Sequence, residues 1–425
     1  MKVVVIGGGW AGCAAALQAK KCGAEVILIE RTDLLLGLGN VGGIIRNNGR
    51  FTAAEEMIAL GAGDLFQIAD RCARHKNVDF PGHKHATLYD VNIIEAEVRK
   101  YLYSMGINIL FEKRVVDVEM EGKSIKSVYL HDGTEIEGDV FIETTGSTGP
   151  IGNCLRYGNG CSMCILRCPS YGPRISISMR AGVEDLQGLR SDESFGAMSG
   201  SCKLEKDSLS KEIREKLDRD GVVVIPVPKE DINMDKLNIK VCQQYALKEF
   251  AENIVLLDTG HAKLMTSYYP LEKLRKIPGF ERVRFIDPYS GGKANSIRYL
   301  SMAPRDNHMK VIGVDNLFVG GEKSGLFVGH TEAIVTGTLA GYNAVRLGIG
   351  LNLVELPSTL AVGDIIKFEN ENKKTLDGLK QRYTFAGAVY FERMKQLDLY
   401  TTDIEKIRKK VDGLLLRDFF KNRII

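Results

Sequence analysis

The first thirty residues of this chain leave little choice of fold. An apolar run, Val3-Val4-Val5-Ile6, meets a turn at Gly7-Gly8-Gly9; an Ala-rich stretch runs to Cys22, and Val26-Ile27-Leu28-Ile29 follows, ending in Glu30. Short apolar runs bounded by glycine read as buried parallel strands, and the segment between them as the helix that crosses over. Gly7, Gly9 and Gly12 complete G-x-G-x-x-G, with Trp10 and Ala11 inside the motif. The first glycine permits a tight turn, the second lets a pyrophosphate approach the backbone, and the third lets the helix pack on the strand. The helix N-terminus then attracts the phosphates. Glu30 lies eighteen positions after Gly12, followed by Arg31, where a carboxylate can accept hydrogen bonds from the ribose hydroxyls of an adenosine. The plain alternative is a glycine-rich turn that holds no ligand.

The 425 residues are 44% hydrophobic and 26% charged, the balance of a globular protein, and 45 Gly against 11 Pro favour many tight strand-to-helix turns. Helices are expected over Phe51–Arg71 and Asp90–Met105, then short strands over Ile107–Glu112, Val115–Glu121 and Ser124–Leu130. A buried strand, Asp139 to Thr145, enters a turn at Gly146. From Ser147 to Arg305 the rhythm is lost: a Cys-rich loop, strands near Ile175 and over Val222–Val227, and a charged helix over Ser210–Arg219. It returns at Lys310–Glu322 with a helix over Thr331–Leu347, and the tail from Pro357 is helical, with amphipathic stretches at Leu376–Met394 and Ile404–Phe420. A formal net charge of +3 makes no strong electrostatic case for nucleic acid or membrane, so nucleic acid stays open as a partner but is not favoured. No apolar run approaches the roughly 20 residues of a membrane helix, so a cytoplasmic protein is expected.

The strand ending Phe141-Ile142-Glu143-Thr144-Thr145-Gly146 resembles the "ATG" turn of two-dinucleotide-binding-domain flavoproteins, and Asn316-Leu317-Phe318-Val319-Gly320-Gly321-Glu322 resembles their late Gly-acid motif. The resemblance implies FAD, with Glu322 meeting the ribityl chain and Gly42, Gly43, Val115, Thr145, Gly146 and Gly321 also along the cofactor. The helix beginning near His330-Thr331 would point its positive end at the pyrimidine edge of the isoalloxazine. The order of pieces is similar to the glucose-inhibited division protein A family and to the folate-dependent tRNA uracil methyltransferases, FAD proteins that act on RNA uridines. Gly39-Asn40-Val41-Gly42-Gly43 with the helix to Arg71, and Gly329 to Gly348, carry this closer likeness. One departure stands out: those families place a working Cys just before the early Gly-Gly turn, and Leu34 to Gly43 contains none. No second G-x-G-x-x-G follows a strand, so a separate NAD domain is not expected. The implied architecture is α/β: a doubly wound, Rossmann-like FAD domain of the glutathione-reductase type with an inserted α+β substrate domain and a C-terminal helical tail. Its boundaries are 1–150 and 306–356 for the two parts of the FAD domain, 151–305 for the Cys-rich loop and substrate domain, and 357–425 for the tail.

Nine cysteines in a long chain favour a metal or redox use for any cluster, and Cys154, Cys161, Cys164 and Cys168-Pro169 form C-x6-C-x2-C-x3-C-P. The last part is similar to ferredoxin loops that wrap three corners of a 4Fe-4S cube, and Cys154 would supply the fourth. A tetrathiolate zinc site is less expected, because its usual form has two C-x2-C pairs. A redox disulfide between Cys161 and Cys164, or four packing cysteines, are the other readings. Heterodisulfide-reductase-type flavoproteins resemble this chain in joining such a cluster to an FAD domain, where iron–sulfur passes single electrons and flavin converts between one- and two-electron steps.

His83-Lys84-His85 reads as a polar loop after Pro81-Gly82, and His330 as a helix-cap residue. Arg167, Arg174, Arg180 and Arg298 suit either an anion clamp or a solvated surface, and Ser290-Gly291-Gly292-Lys293 lacks the strand and spacing of a P-loop. Cys13 and Cys22 read as helix residues, while Cys72, Cys202 and Cys242 have no motif around them. The expectation is an FAD-dependent oxidoreductase passing electrons between flavin, an iron–sulfur loop and a small-molecule substrate or electron-transfer partner. Its candidate catalytic residues are Cys161, Cys164 and His330; a homo-oligomer is open, and membrane is not expected. Two alternatives stand beside it: a flavin-dependent RNA uridine-modifying enzyme in which Cys161 or another loop Cys replaces the missing nucleophile, and an FAD-binding scaffold with a structural zinc loop.

Overall fold

A computed structural model describes residues 1–146, 175–195, 197–198, 202–238, 240–266, 269–286, 297–298 and 300–425. In chain order, the elements that position the site are β1 (Lys2–Ile6), α1 (Trp10–Lys21), β2 (Glu25–Ile29), α2 (Gly49–Ala59), β3 (Asn108–Leu110), β4 (Val140–Glu143), β5 (Cys202–Leu204), β6 (Val222–Pro226), β7 (Asn253–Asp258), β8 (Ala262–Leu264), β9 (Leu317–Val319), α3 (His330–Gly348) and α4 (Ala361–Asn372). Strands β9-β4-β1-β2-β3 form one parallel sheet, with Val3 opposite both Val140 and Val26, and Phe141 opposite Leu317.

The apolar run at the N-terminus is unbroken because both faces of this sheet are covered. Alternate side chains go to different cores: Val3 and Val5 pack with α1 and α3, whereas Val4 and Ile6 pack with Phe141, Leu317 and the antiparallel sheet of Val115–Glu121, Ser124–Leu130 and Glu135–Glu137. Helices α1 and α3 touch backbone to backbone. A Cβ on Gly337 would lie 2.2 Å from the Ala11 carbonyl oxygen, and one on Gly341 2.3 Å from that of Ala15. Positions four apart share one face of a helix, so these glycines and alanines form a paired small-residue seam.

The inserted region carries a second, antiparallel sheet in the order β5-β8-β7-β6 with its own core of Leu204, Leu217, Leu256, Leu264 and Phe280. The expected charged helix is present at Lys211–Asp220: the Ser210 hydroxyl accepts from the Ile213 N–H at its start, and Gly221 closes it at φ 75°.

Four expectations need correction. The helix expected over Phe51–Arg71 is two, Gly49–Ala59 and Asp64–Arg71, separated at Gly61, whose φ of 88° no other residue type adopts cheaply. His83-Lys84-His85 is not a loop but the start of strand His83–Tyr89, paired antiparallel with Ala73–Phe80 around Pro81-Gly82. Ile175 precedes a helical turn, Ile177–Arg180, rather than forming a strand. The tail stretch Leu376–Met394 breaks into Leu376–Lys380 and Ala388–Gln396.

The tail is bound to the α/β body. Glu56 of α2 accepts the N–H groups of Ala361 and Val362, each at 3.0 Å, capping α4 with a buried carboxylate. No helix among the described residues is long and apolar enough to cross a membrane.

Candidate functional site

A cavity opens at the C-terminal ends of β1, β2 and β4, where Ile6, Ile29 and Thr144 reach it, which is where doubly wound sheets bind ligands. The three motif glycines divide their tasks as the motif requires. Gly7 turns at φ 103°, and a Cβ there would sit 2.6 Å from the Thr144 carbonyl oxygen. A Cβ on Gly9 would meet nothing within 4 Å, so this glycine faces the open cavity. Gly12 does not line the cavity: a Cβ there would lie 1.8 Å from the Gly7 carbonyl oxygen, so its task is to bring α1 against the turn.

Glu30 follows directly on β2 and lines the cavity. One carboxylate oxygen accepts the Gly8 N–H at 2.7 Å and the other the Thr32 N–H at 2.9 Å and hydroxyl at 3.0 Å. Burial pushes its pKa up, and these donors oppose the rise. Of the other residues singled out in the sequence, Trp10, Ala11, Arg31, Gly42, Val115, Thr145, Gly146, Gly321, Glu322 and His330 all line the same cavity. Thus the early and late segments, some three hundred residues apart, meet at one site. Gly43 and Thr331 do not line it. Gly43, at φ 72°, is pressed on the Thr259 side chain, and Thr331 is buried inside α3.

His330 begins α3 and lies against Gly42, with Trp10 and Tyr89 at ring-centroid distances of 6.1 Å. The Tyr89 hydroxyl donates to the Gly39 carbonyl at 2.7 Å, so its oxygen accepts from His330 Nδ1 at 3.2 Å. The first turn of this 19-residue helix, through Ala333, faces the cavity with its positive end. A glycine open to the cavity at the turn, an acid at the strand end and a second helix N-terminus beyond it together fit FAD.

The opposite wall comes from the inserted region and was not legible as a site: Lys240, Cys242, Gln244, Tyr245, Lys263 and Met265. Lys113 and Arg114, in no motif, also reach the cavity. Burial, aided by Lys203, brings the Lys263 ammonium down to about 7, and burial brings Lys240 to about 8. Arg50 of α2 reaches the cavity but is held by Glu332 of α3.

His83 braces this wall from behind. Its Nδ1 accepts from Asn47 Nδ2 at 2.9 Å, so Nε2 carries the proton and donates to the Gln244 carbonyl at 2.9 Å. Phe80 stacks on the ring at 4.7 Å and Tyr245 lies 4.8 Å away. Burial lowers its pKa from 6.5 to about 3. The unfolded chain therefore binds a proton that the folded one excludes, and stability falls as pH drops from 6.5 towards about 3. In urea titrations across that range, His83→Phe should remove about one proton's worth of slope; an unchanged slope would mean His83 is protonated in the folded protein.

Cys154, Cys161, Cys164 and Cys168 lie outside the described residues, as do Arg167, Arg174, the Arg298 side chain and Ser290–Lys293. Gly146 and Ile175, which bound the Cys segment, both line the cavity. Among the described residues no group of three His, Cys, Asp or Glu side chains is placed to hold a metal. Arg180 is an exposed residue 3.9 Å from Asp117, and Cys13 and Cys22, for which the sequence leaves core or surface open, are core residues.

Fold and cavity define an FAD-binding α/β protein whose cofactor site is assembled from an early and a late segment. The sequence pattern described as Glucose inhibited division protein A matches residues 2–268 and 252–350, and the chain belongs to that family. Its structure is similar to that of Aquifex aeolicus GidA, with a TM-score of 0.62 at 17% identity over 97% of this chain and 78% of that one. It is 23% identical over 154 residues to the tRNA uridine 5-carboxymethylaminomethyl modification enzyme MnmG of Buchnera aphidicola, covering 34% of this chain and 24% of that enzyme. It is 42% identical over 57 residues to the methylenetetrahydrofolate–tRNA-(uracil-5-)-methyltransferase TrmFO of Prochlorococcus marinus, covering 13% of this chain and 12% of that enzyme. The matched stretches thus span a quarter or less of these curated relatives.

Proposed function

We propose that this protein is an FAD-dependent enzyme that modifies a uridine-type base in RNA. The observation that carries this reading is Cys242. Leu34–Gly43 has no cysteine where the related families place one, yet the inserted region puts a thiol on the wall of the same cavity, beside two buried lysines. In this reading Glu30 holds the adenosine ribose, Gly7, Gly9 and the α1 N-terminus hold the pyrophosphate, and Glu322 meets the ribityl chain. His330 and the start of α3 lie at the flavin ring. Bound FAD would supply the electron pair that reduces a one-carbon unit taken from a folate-type donor; Cys242 would add to the base as nucleophile and be expelled again when the substituted base loses its ring proton, and Lys263, whose pKa is brought down to about 7, would move that proton at neutral pH. The names of the relatives, one a uridine-modifying and one a uracil-methylating tRNA enzyme, support this substrate class.

The test compares modified nucleosides in tRNA from cells with and without the gene, and in tRNA incubated with purified, reduced holoprotein and methylenetetrahydrofolate. A uridine product is expected, and Cys242→Ser should lower it by at least about a hundredfold while FAD content stays unchanged. Identical nucleoside profiles, together with no product in vitro, would sink the reading.

A second reading, electron transfer through a 4Fe-4S cluster on Cys154, Cys161, Cys164 and Cys168, has one observation in its favour: the residues bounding that segment, Gly146 and Ile175, line the flavin cavity. About four iron and four sulfide per chain, in protein purified without oxygen, would support it, and absence of iron would dismiss it.

A further inference from the structure

Gln244 is only 3% exposed, yet its side-chain oxygen Oε1 has no hydrogen-bond partner, and the residue lines the cavity. A buried carbonyl oxygen without a donor is uncommon, because it gives up water and receives nothing in return. Nor is the residue free to turn away: its main-chain carbonyl is held by His83 Nε2 at 2.9 Å, and its Cβ lies against Gly387. The same wall carries Lys263 and Lys240, 5% and 4% exposed. The Lys263 ammonium gives one N–H to the Val41 carbonyl, and Lys240 Nζ lies 3.5 Å from the Met265 carbonyl. An ammonium has three donors and no acceptor capacity. The wall therefore presents a cationic N–H donor, Lys263, together with one acceptor that lacks a proton.

We infer that this wall reads a cyclic imide edge, C(=O)–N–H–C(=O), through Gln244 Oε1 and the Lys263 ammonium. A carbonyl oxygen of the imide accepts from Lys263, and the imide N–H donates to Gln244. This is the edge of uracil. The cytosine edge places an unprotonated ring nitrogen and an amino group there, so the nitrogen lone pair meets the Gln244 oxygen and the amino group meets an ammonium. A methyl group on the imide nitrogen removes the donor and fills its place. Sites that bury polar groups reject ligands that leave those groups unpaired more strongly than apolar pockets reject a change of size. The inference rests on the uridine reading for its choice of ligand, but the edge chemistry is testable without RNA.

The experiment titrates FAD-loaded protein with uridine, 3-methyluridine, cytidine and glutarimide, following the flavin absorption spectrum. Uridine and glutarimide should perturb the spectrum, and 3-methyluridine and cytidine should bind at least about tenfold more weakly. Gln244→Leu should bring uridine and 3-methyluridine to equal affinity, and Lys263→Met should weaken uridine and glutarimide alike. The comparison within the unaltered protein needs no variant to fold. Equal binding of uridine and 3-methyluridine, no response to any imide, or discrimination that survives Gln244→Leu would overturn the inference. Imide binding without any modified uridine in tRNA would leave this site standing and remove the RNA reading. Modified uridine with no imide discrimination would do the reverse.

Discussion

Gly12→Ala should yield protein that purifies without FAD and is less stable by about 3 kcal/mol or more. A methyl group there has nowhere to go: its carbon would lie 1.8 Å from the Gly7 carbonyl oxygen and 2.8 Å from the Thr144 hydroxyl. That hydroxyl also donates to Gly7 at 2.6 Å, tying the end of β4 to the turn. Relief requires the start of α1 to lift off the sheet, and that movement carries away the N–H groups proposed to hold the pyrophosphate. The two readouts are FAD content after purification and urea-induced unfolding. Full FAD loading with a loss of stability below about 1 kcal/mol would show that α1 has room the structure does not give it.

Glu332→Ala should be comparably severe, for an electrostatic reason. Glu332 is fully buried and lies in the first turn of α3, two residues after His330. It accepts from Arg50 Nε at 3.1 Å, from the Thr384 hydroxyl at 2.6 Å and from the Phe385 N–H at 2.9 Å. It therefore joins α2, α3 and the tail at the end of the cavity where α3 begins. Removing the carboxylate leaves the Arg50 guanidinium buried without its counter-charge, which costs about 3–5 kcal/mol. Removing both charges is less damaging than removing one, so Arg50→Met with Glu332→Leu should be more stable than Glu332→Ala alone. Unfolding curves of the three proteins decide it. A double variant no better than the single one would mean that the hydrogen bonds to Thr384 and Phe385, rather than the ion pair, carry the effect.

The dinucleotide half of the site was legible because its determinants are local. The turn, the helix start and the acid at the end of β2 all fall within thirty residues, and each position has one physical task. The wall opposite had no such signature. Lys240, Cys242 and Gln244 sit in irregular chain with a single 3-10 turn, and they reach the flavin cavity only through the way the inserted sheet docks. Cys242 is thus an isolated cysteine in sequence and a cavity thiol in space. His83 misled for the opposite reason: between Gly82 and Lys84 it reads as solvated, but Tyr245 and Phe250, far away in the chain, close over it. Helix breaks within amphipathic stretches, as at Gly61, were missed because periodicity records which face is apolar and not where the backbone turns.

The seam between α1 and α3 bears on how the protein is made. Four of the five strands of the sheet and the first half of the cavity are encoded by residues up to Gly146, but β9 and α3 leave the ribosome more than a hundred and fifty residues later. Until then β4 is an open edge, and the alanine face of α1 has no partner. Unpaired edges and bare apolar faces are where a nascent chain associates wrongly. The inserted region, with a core of its own, can fold during this interval, but the flavin cannot be enclosed before Gly337 and Gly341 dock. Closure of the cavity is therefore a late event in synthesis, and a chain arrested before β9 would hold the glycine turn with half of the cavity wall missing.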